Sequence, residues 1–201
     1  MTRNPPPAGT PAPPPTAVHP SAAGPTAPGP APAPAAVHVR RVRAQDTARM
    51  RALRLEMLAD APLAFLEWLD EAAARPHEEF RARLLATVAG DERAQFVAVT
   101  PTGELVGHAG GTAWPELPDV TVLYAVYVTP AHRGTGLLGA LVDAVAAWSR
   151  AVGRHTLHLE VVNGNDRALR AYLKLGFVET GEIVPHPRIP VLTERRLRRP
   201  A

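Results

Sequence analysis

The chain has 201 residues, a formal net charge of +3 and no cysteine. The lack of cysteine excludes disulfides, thiolate metal sites and a covalent cysteine thioester. No stretch reaches the ~20 apolar residues of a membrane span, and no compact apolar run follows a basic start, as it would in a signal peptide. These features predict a cytoplasmic protein without a membrane segment.

Composition divides the chain in two. Residues 1–36 are mostly Pro and Ala, and Arg3 is their only charged side chain. Proline has no backbone N–H to donate within a helix or a sheet, and this segment has little apolar surface to bury in a core. The sequence therefore predicts a disordered or polyproline-like tail at 1–36 and one domain at 37–201.

The positive charge comes almost entirely from arginine. Lys174 is the only lysine, and the one dense basic run lies at 195–199. No aromatic residues that could stack on bases interrupt this run, and 19 acidic residues dilute the charge. A compositional bias towards arginine is the favoured interpretation, and we expect no specific nucleic-acid partner.

The first part of the domain reads as one strand followed by helices. Val37–Arg43 alternates weakly and predicts an edge strand. Asp46 can cap the next helix, and helical spacing continues over 64–74. A third helix is expected to begin at Pro76. The apolar face of the first helix is formed by Met50, Leu53, Met57 and Leu58.

A change of period then predicts strands. Phe96–Val99 and Leu105–Thr112 flank a turn and form a hairpin. The two prolines within 114–119 predict a loop. The β-branched and aromatic run Val120–Val128 is typical of a central strand. The remaining elements are a helix from about Thr135 to Ala151, a strand at 156–162, a helix capped by Asn165 and ended by Gly176, and two strands near 177–183 and 191–198.

The turn after Val128 carries the sharpest local signal. Here a strand ends, and Arg133-Gly134-Thr135-Gly136 leads into a helix. The glycines allow the backbone to approach a ligand closely, and the first helical amides have no internal partner. The helix dipole and the charge of Arg133 favour an anion at the same place. The sequence predicts a pyrophosphate site.

Two alternatives fit the same turn. The glycines can simply close a tight strand-to-helix connection. The segment from Gly134 to Gly139 also matches the dinucleotide pattern G-x-G-x-x-G, with Glu160 at a suitable distance for a ribose contact. That match is weak, because five residues separate the strand from the first glycine and few elements remain for a doubly wound fold.

Two motifs together resemble the GNAT N-acetyltransferase superfamily. Val126-Tyr127-Val128-Thr129-Pro130 and the turn at Arg133–Leu138 are similar to its L-x-V-x-P strand and R/Q-x-x-G-x-G/A turn. Leu138 stands where that family usually has Gly or Ala. Further along, Asn165, Ala168, Tyr172, Gly176 and Phe177 fit its N-x-x-A-x-x-x-Y-x-x-x-G-F motif.

The resemblance implies a fold and a cofactor. The fold is α/β (α+β), a mixed, mostly antiparallel twisted sheet with one central parallel strand pair and helices on both faces. Acetyl-CoA is implied as the co-substrate, with its pantetheine arm along the strand before the turn and its pyrophosphate at the turn itself. The implied cofactor-binding residues are Val126, Tyr127, Val128, Arg133, Gly134, Thr135, Gly136, Leu137, Leu138 and Asn165.

The resemblance also implies an activity. Tyr172 is the family's usual general acid for the departing thiolate, and the acceptor is a primary amine of a small molecule or a protein. Direct attack in a ternary complex suits a chain without cysteine. No metal is expected, and a homodimer is allowed. The alternative is a non-catalytic acyl-CoA-binding sensor or scaffold.

The general base is not readable from the sequence. Candidates by residue type and region are Glu160, Glu116, Asp119, His108 and Tyr124, and a water chain is an alternative. Trp114, Phe65 and Trp68 lie where the family builds its acceptor pocket, although core packing is the simpler explanation for each.

Overall fold

The computed structural model describes residues 36–201, so the tail predicted for 1–36 lies almost wholly outside the described residues. The strands are β1 (His38–Arg41), β2 (Arg93–Val99), β3 (Leu105–Trp114), β4 (Leu117–Val128), β5 (Thr156–Val162), β6 (Val178–Pro185) and β7 (Thr193–Pro200). The helices are α1 (Thr47–Asp60), α2 (Leu69–Ala74), α3 (His77–Leu85), α4 (Leu137–Ala151) and α5 (Asp166–Lys174).

All seven strands form one sheet in the order β1-β2-β3-β4-β5-β7-β6. β4 and β5 run parallel, and every other neighbouring pair is antiparallel. The fold class predicted from the sequence is confirmed. The dinucleotide interpretation is excluded, because a doubly wound fold needs a mostly parallel sheet.

Helices cover both faces of the sheet, as predicted. On one face, α4 buries Leu141, Val142 and Val145 against the strands, and α5 packs beside it. On the other face, α1 contributes Met50 and Leu53 to a second core that also receives residues of α2 and α3. The apolar spacing of α1 and α4 in the sequence therefore corresponds to their buried faces.

Two local predictions were wrong. The loop expected at 114–119 is reduced to two residues, because β3 extends to Trp114 and β4 begins at Leu117. β4 tolerates Pro118 there because the β3 register passes from Leu117 directly to Thr121, which leaves 118–120 without partners on that side. Asp46 stands at the start of α1 but makes no side-chain cap, and its carboxylate instead binds Arg40 and Arg49.

Arginines of the C-terminal basic run are held in ion pairs. Arg195 pairs with Glu179, and Arg196 lies 2.9 Å from Glu160. Arg199 lies 2.8 Å from Asp143 of α4. This neutralisation supports the expectation that the run is not a nucleic-acid patch.

Within residues 36–201, no helix combines the length and the apolar character needed to cross a membrane.

Candidate functional site

The parallel strands β4 and β5 separate partway along their length. Their register contains three pairs, Val120 with Thr156, Thr121 with Leu157, and Val122 with His158. Beyond Val122 the two strands no longer pair. The rest of β4, including Val126–Val128, therefore has no strand partner on the side that faces β5.

A bulge in β4 lies within this opening. His108 of β3 pairs with Tyr127, whereas Gly110 pairs with Tyr124, so the two strands are out of step by one residue. Ala125, inside the bulge, has a positive φ of 50°, a conformation that residues with a Cβ rarely adopt. The strain lies where β4 turns away from β5.

A histidine contacts the bulge directly. The Nδ1 atom of His108 lies 2.6 Å from the carbonyl oxygen of Ala125, and because a carbonyl only accepts, the ring nitrogen donates. His108 is 3% exposed, and its burial lowers its pKa to about 4. The ring is therefore neutral at physiological pH.

The turn into α4 presents a row of unpaired amides. Within the described residues, no amide from Gly134 to Gly139 donates a hydrogen bond, and the first helical bond runs from the Ala140 amide to the Gly136 carbonyl at 3.2 Å. Gly134 and Gly136 have φ values of 80° and 86°, which favour glycine. Unpaired amides at a helix start can hold an anion, and α4 begins at Leu137.

Arg133, which was expected to add a fixed positive charge at the turn, makes three contacts outside the turn. Its Nε donates to the Val128 carbonyl at 3.1 Å, and its guanidinium pairs with Asp60 at the end of α1. It also lies over the ring of Tyr127. The arginine joins the turn to β4 and α1, and its charge is largely neutralised by Asp60.

Leu138 and Asn165 flank the opening from two helices. Leu138, which departs from the family pattern, packs partly against the core under α4. The Oδ1 atom of Asn165 accepts from the Ala168 amide at 3.2 Å and caps α5, as predicted. A Cβ atom on Gly139, one position after Leu138, would lie 3.3 Å from the side chain of Leu175, which follows α5.

A cleft of about 430 Å³ lies at the end of β5. Residues 61–64, which follow α1, line one side, and residues 162–165, which lead into α5, line the other. Asn165 is one of the lining residues. A larger cleft of about 540 Å³ includes Asp91, Thr112 and Pro115, and thus lies at the other end of the sheet, away from the α4 turn.

Tyr172 lies on α5, against the core of the α4 face. Its ring contacts Phe177 edge-on, with 5.5 Å between the ring centroids. Burial alone raises the pKa of the phenol above its usual range, and no hydrogen bond contributes to this shift. The hydroxyl therefore remains protonated, and no described residue accepts its proton.

α5 ends as the sequence predicts. The amides of Gly176 and Phe177 donate to the carbonyls of Leu173 and Tyr172 at 3.1 Å each, which is the Schellman pattern. Gly176 has a φ of 82°, and Phe177 is 2% exposed. This ending fixes the last turn of α5, in which Tyr172 lies.

The candidate general bases are placed very differently. Asp119 and Glu116 lie near the start of β4, at the opposite end from the turn, and the Asp119 carboxylate accepts from the His155 amide and the Thr156 hydroxyl. Glu160 is paired with Arg196. No free base among these candidates adjoins the turn. The remaining two candidates, His108 and Tyr124, lie beside the bulge in β4. The Tyr124 hydroxyl accepts a hydrogen bond from Gln95 at 3.3 Å.

One buried acidic residue next to the 430 Å³ cleft was not predicted from the sequence. Glu194 of β7 pairs across the sheet with Val162, which lines the 430 Å³ cleft. It is 7% exposed, and burial and then Glu160 raise its pKa, with no hydrogen bond to lower it. Its position immediately before the basic run at 195–199 gave no signal of this burial.

The three aromatic residues expected near the acceptor pocket are stacked by arginines. Phe65 lies under Arg54, and Trp68 lies under Arg188. Trp114 lies under Arg196 and contacts His158 edge-on. Phe65 belongs to the second hydrophobic core, as expected if its role is core packing.

The sequence is similar to those of proteins named as acetyltransferases. The chain is 36% identical over 88 residues to streptothricin acetyltransferase of Streptomyces lavendulae, covering 43% of this chain and 45% of the relative. It is 32% identical over 155 residues to aminoglycoside N(6')-acetyltransferase type 1 of Stenotrophomonas maltophilia, covering 73% and 89%. The chain spans about half the length of the first of these relatives.

A solved structure shares the fold. Spermidine N-acetyltransferase from Vibrio cholerae, in complex with CoA and spermine, superposes with a TM-score of 0.65 at 17% identity, covering 82% of this chain and 95% of that one. The sequence profile of the acetyltransferase (GNAT) family matches residues 61–177, from the end of α1 to Phe177. The chain belongs to the GNAT acetyltransferase family.

Proposed function

We propose that the protein is an N-acetyltransferase that transfers the acetyl group of acetyl-CoA to a primary amine. The observation that carries the proposal is the run of unpaired amides from Gly134 to Gly139 at the start of α4, beside the opening between β4 and β5. Family membership supports the same activity. The aminoglycoside and streptothricin relatives are named for acetyl transfer.

In this proposal the cofactor binds along one continuous path. The pyrophosphate accepts hydrogen bonds from the amides of Gly134, Thr135, Gly136, Leu137 and Leu138. The pantetheine arm adds to the free edge of β4 at Val126, Tyr127 and Val128, as an extended chain adds to a strand edge. Arg133 holds the turn in place through Asp60, and Asn165 borders the path from the β5 side.

The chemistry proposed is direct attack in a ternary complex. The lone pair of the neutral amine forms a bond to the thioester carbonyl carbon, and the carbon–sulfur bond breaks. A free amide of β4 stabilises the oxyanion that forms on the carbonyl oxygen. The amine loses one proton to solvent or a carboxylate, Tyr172 donates its proton to the departing thiolate, and the phenolate then regains a proton from solvent.

The elevated pKa of Tyr172 fits this role if the thiolate is buried with it. Burial raises the pKa of a thiol as well as that of a phenol, so the two groups move in the same direction. A phenol that is protonated and has no partner among the described residues remains available as a donor. The replacement of Tyr172 by Phe tests the role without removing the ring.

The acceptor is proposed as a cationic or polar amine. The names of the relatives refer to streptothricin and an aminoglycoside, and the fold neighbour was solved with spermine. In this chain, Glu194 and Glu160 place carboxylates on the sheet face next to the 430 Å³ cleft. We propose this face as the acceptor side.

The remaining proposals concern domain organisation, location in the cell, metal requirement and oligomeric state. We propose that residues 1–36 form a Pro/Ala-rich tail separate from the acetyltransferase domain at 37–201, that the protein works in the cytoplasm and that the reaction needs no metal. A homodimer is compatible with this proposal.

A non-catalytic acyl-CoA sensor is the rival function. Two observations favour it: Leu138 stands in place of the family's Gly or Ala, and none of the candidate bases named from the sequence adjoins the turn as a free base. Incubation with acetyl-CoA and a panel of diamines, aminoglycosides and streptothricin, with detection of released thiol, separates the two. Thiol release that depends on an amine supports the enzyme, whereas cofactor binding without release across the panel supports the sensor.

A further inference from the structure

We propose that His108 is a positioning residue that holds the β4 bulge in the shape required by the pantetheine arm. The inference rests on the proposed function, because it assigns the arm to the free edge of β4 at Val126–Val128. It adds a side chain from β3 to a site so far built from β4, α4 and α5.

The contact is short and specific. His108 Nδ1 donates to the Ala125 carbonyl at 2.6 Å, across 17 residues of sequence. Ala125 is the only non-glycine residue with positive φ among residues 36–201. A hydrogen bond to its carbonyl helps to fix the orientation of the peptide between Ala125 and Val126, where the free edge begins.

Packing alone does not explain a histidine at this position. The ring is buried, and its Nε2 atom has no partner among the described residues. A buried polar atom without a partner is unfavourable, and an aliphatic side chain of similar volume would avoid it. What the histidine offers beyond such a side chain is its hydrogen bond to the bulge.

A second contact fixes the strand just before the bulge. The Tyr124 ring lies flat against Gly110, where a Cβ atom would fall only 2.4 Å from the ring. Gly110 of β3 and Tyr124 of β4 are register partners, and Tyr124 directly precedes the bulge along β4. With this side already fixed, the His108 bond determines how β4 continues towards Val126.

The test compares two variants and two ligands. His108→Leu fills the volume but cannot donate, whereas Asn in His108→Asn carries an amide nitrogen near the position of Nδ1. Each protein is titrated with acetyl-CoA and with 3′-phospho-ADP, which has the pyrophosphate but lacks the pantetheine arm. Thermal unfolding confirms that each variant is folded.

The expected result is a selective loss. For His108→Leu, we expect acetyl-CoA affinity to fall about tenfold, as for one lost hydrogen bond and a relaxed bulge, and 3′-phospho-ADP affinity to stay within about twofold. His108→Asn should recover most of the acetyl-CoA affinity. Adding Ala125→Gly to His108→Leu should also recover part of it, because glycine adopts the positive φ without strain.

Several results would overturn the inference. One is a folded His108→Leu protein with wild-type affinity for acetyl-CoA, and another is an equal loss for both ligands. If His108→Leu does not fold, a folded His108→Asn with tenfold weaker acetyl-CoA binding also contradicts it. If the wild-type protein itself fails to bind acetyl-CoA, the proposed function has failed, which is a separate result.

Discussion

The two ends of β4 differ in how far their polar groups are paired. At its start, β4 pairs with β5, and buried polar side chains beside the pairing bond to one another. At its end, β4 separates from β5, bulges, and leads to a turn whose amides have no partner among the described residues. We refer to these as the closed end and the open end.

The closed end is a buried polar network. The Thr121 hydroxyl accepts from the Arg154 guanidinium at 2.9 Å and lies 2.8 Å from the Ser149 hydroxyl. Arg154 also lies over the Trp148 ring. Thr121 and Ser149 are both 0% exposed. The polar groups of Thr121, Ser149 and Arg154 bond to one another here, so this network contributes to stability.

The open end leaves donors and strained backbone without compensation inside the described residues. Such features reduce stability unless a ligand or water completes them. Substitutions that break the closed-end network should therefore alter stability, whereas substitutions that alter the turn amides or Tyr172 should mainly alter binding or rate.

The largest expected effect concerns stability in acid at the open end. The pKa of His108 is about 4 in the folded protein, against a usual 6.5, mainly because of burial and also because of Arg54, while the Ala125 carbonyl acts in the opposite direction. Above pH 6.5 the ring is neutral in both states and contributes nothing. Between pH 6.5 and pH 4 the unfolded chain binds the proton first, so stability falls, by about 3 kcal/mol in total.

The measurement is the free energy of unfolding by denaturant as a function of pH, for wild type and His108→Asn. Asn does not titrate, so the variant should lose about 3 kcal/mol less over the same interval. Identical pH profiles for the two proteins would show that His108 is not a buried neutral histidine.

The next effect is on rate. Tyr172→Phe should lower kcat about 100-fold with the best amine of the panel, because the thiolate loses its proton donor. Since no described residue bonds the hydroxyl, the free energy of unfolding should change by less than about 0.5 kcal/mol. The affinity for acetyl-CoA should remain within about twofold. An unchanged kcat would remove Tyr172 from the mechanism.

At the closed end, Thr121→Val should destabilise the protein by about 2 kcal/mol, because it leaves the buried Arg154 Nε without its acceptor. The matched control is Thr156→Val, whose hydroxyl bonds Asp119 at an exposed position and should cost only about 0.5 kcal/mol. Denaturant unfolding and acetyl-CoA titration are measured for both. A large loss of affinity with Thr121→Val would contradict the division between the two ends.

The smallest effect concerns the cap of α5. Asn165→Ala removes the acceptor for the Ala168 amide and should cost about 1 kcal/mol of unfolding free energy. Asn165→Asp keeps an acceptor and serves as the control. Comparable stability of the Ala and Asp variants would show that the cap does not matter here.

Local features were the ones that could be predicted from the sequence. The turn at Arg133–Leu138 and the Schellman ending at Gly176 depend on residues a few positions apart, so their residue types indicate their geometry. The helices α1 and α4 were readable from apolar spacing, and β4 from its β-branched run. The fold class followed from the order of these elements and the family resemblance.

Distant pairs could not be predicted. The bond between His108 and Ala125 joins adjacent strands, and the bulge depends on register, which the sequence does not display. The partner of Arg133 is Asp60, 73 residues away, so the sequence did not reveal that this charge is paired. The burial of Glu194 likewise depends on its position in β7 between β5 and β6.

The central claim is that the open end binds acetyl-CoA, and calorimetric titration tests it most directly. Wild-type protein is titrated with acetyl-CoA, CoA and NAD, beside a variant with Gly134→Val and Gly136→Val. A Cβ atom on either glycine would meet no other atom within 4 Å, so the variant acts through backbone conformation rather than a clash. We predict micromolar binding of acetyl-CoA, at least about 100-fold weaker in the variant, and no binding of NAD. No binding of acetyl-CoA or CoA by the folded wild-type protein would contradict the account.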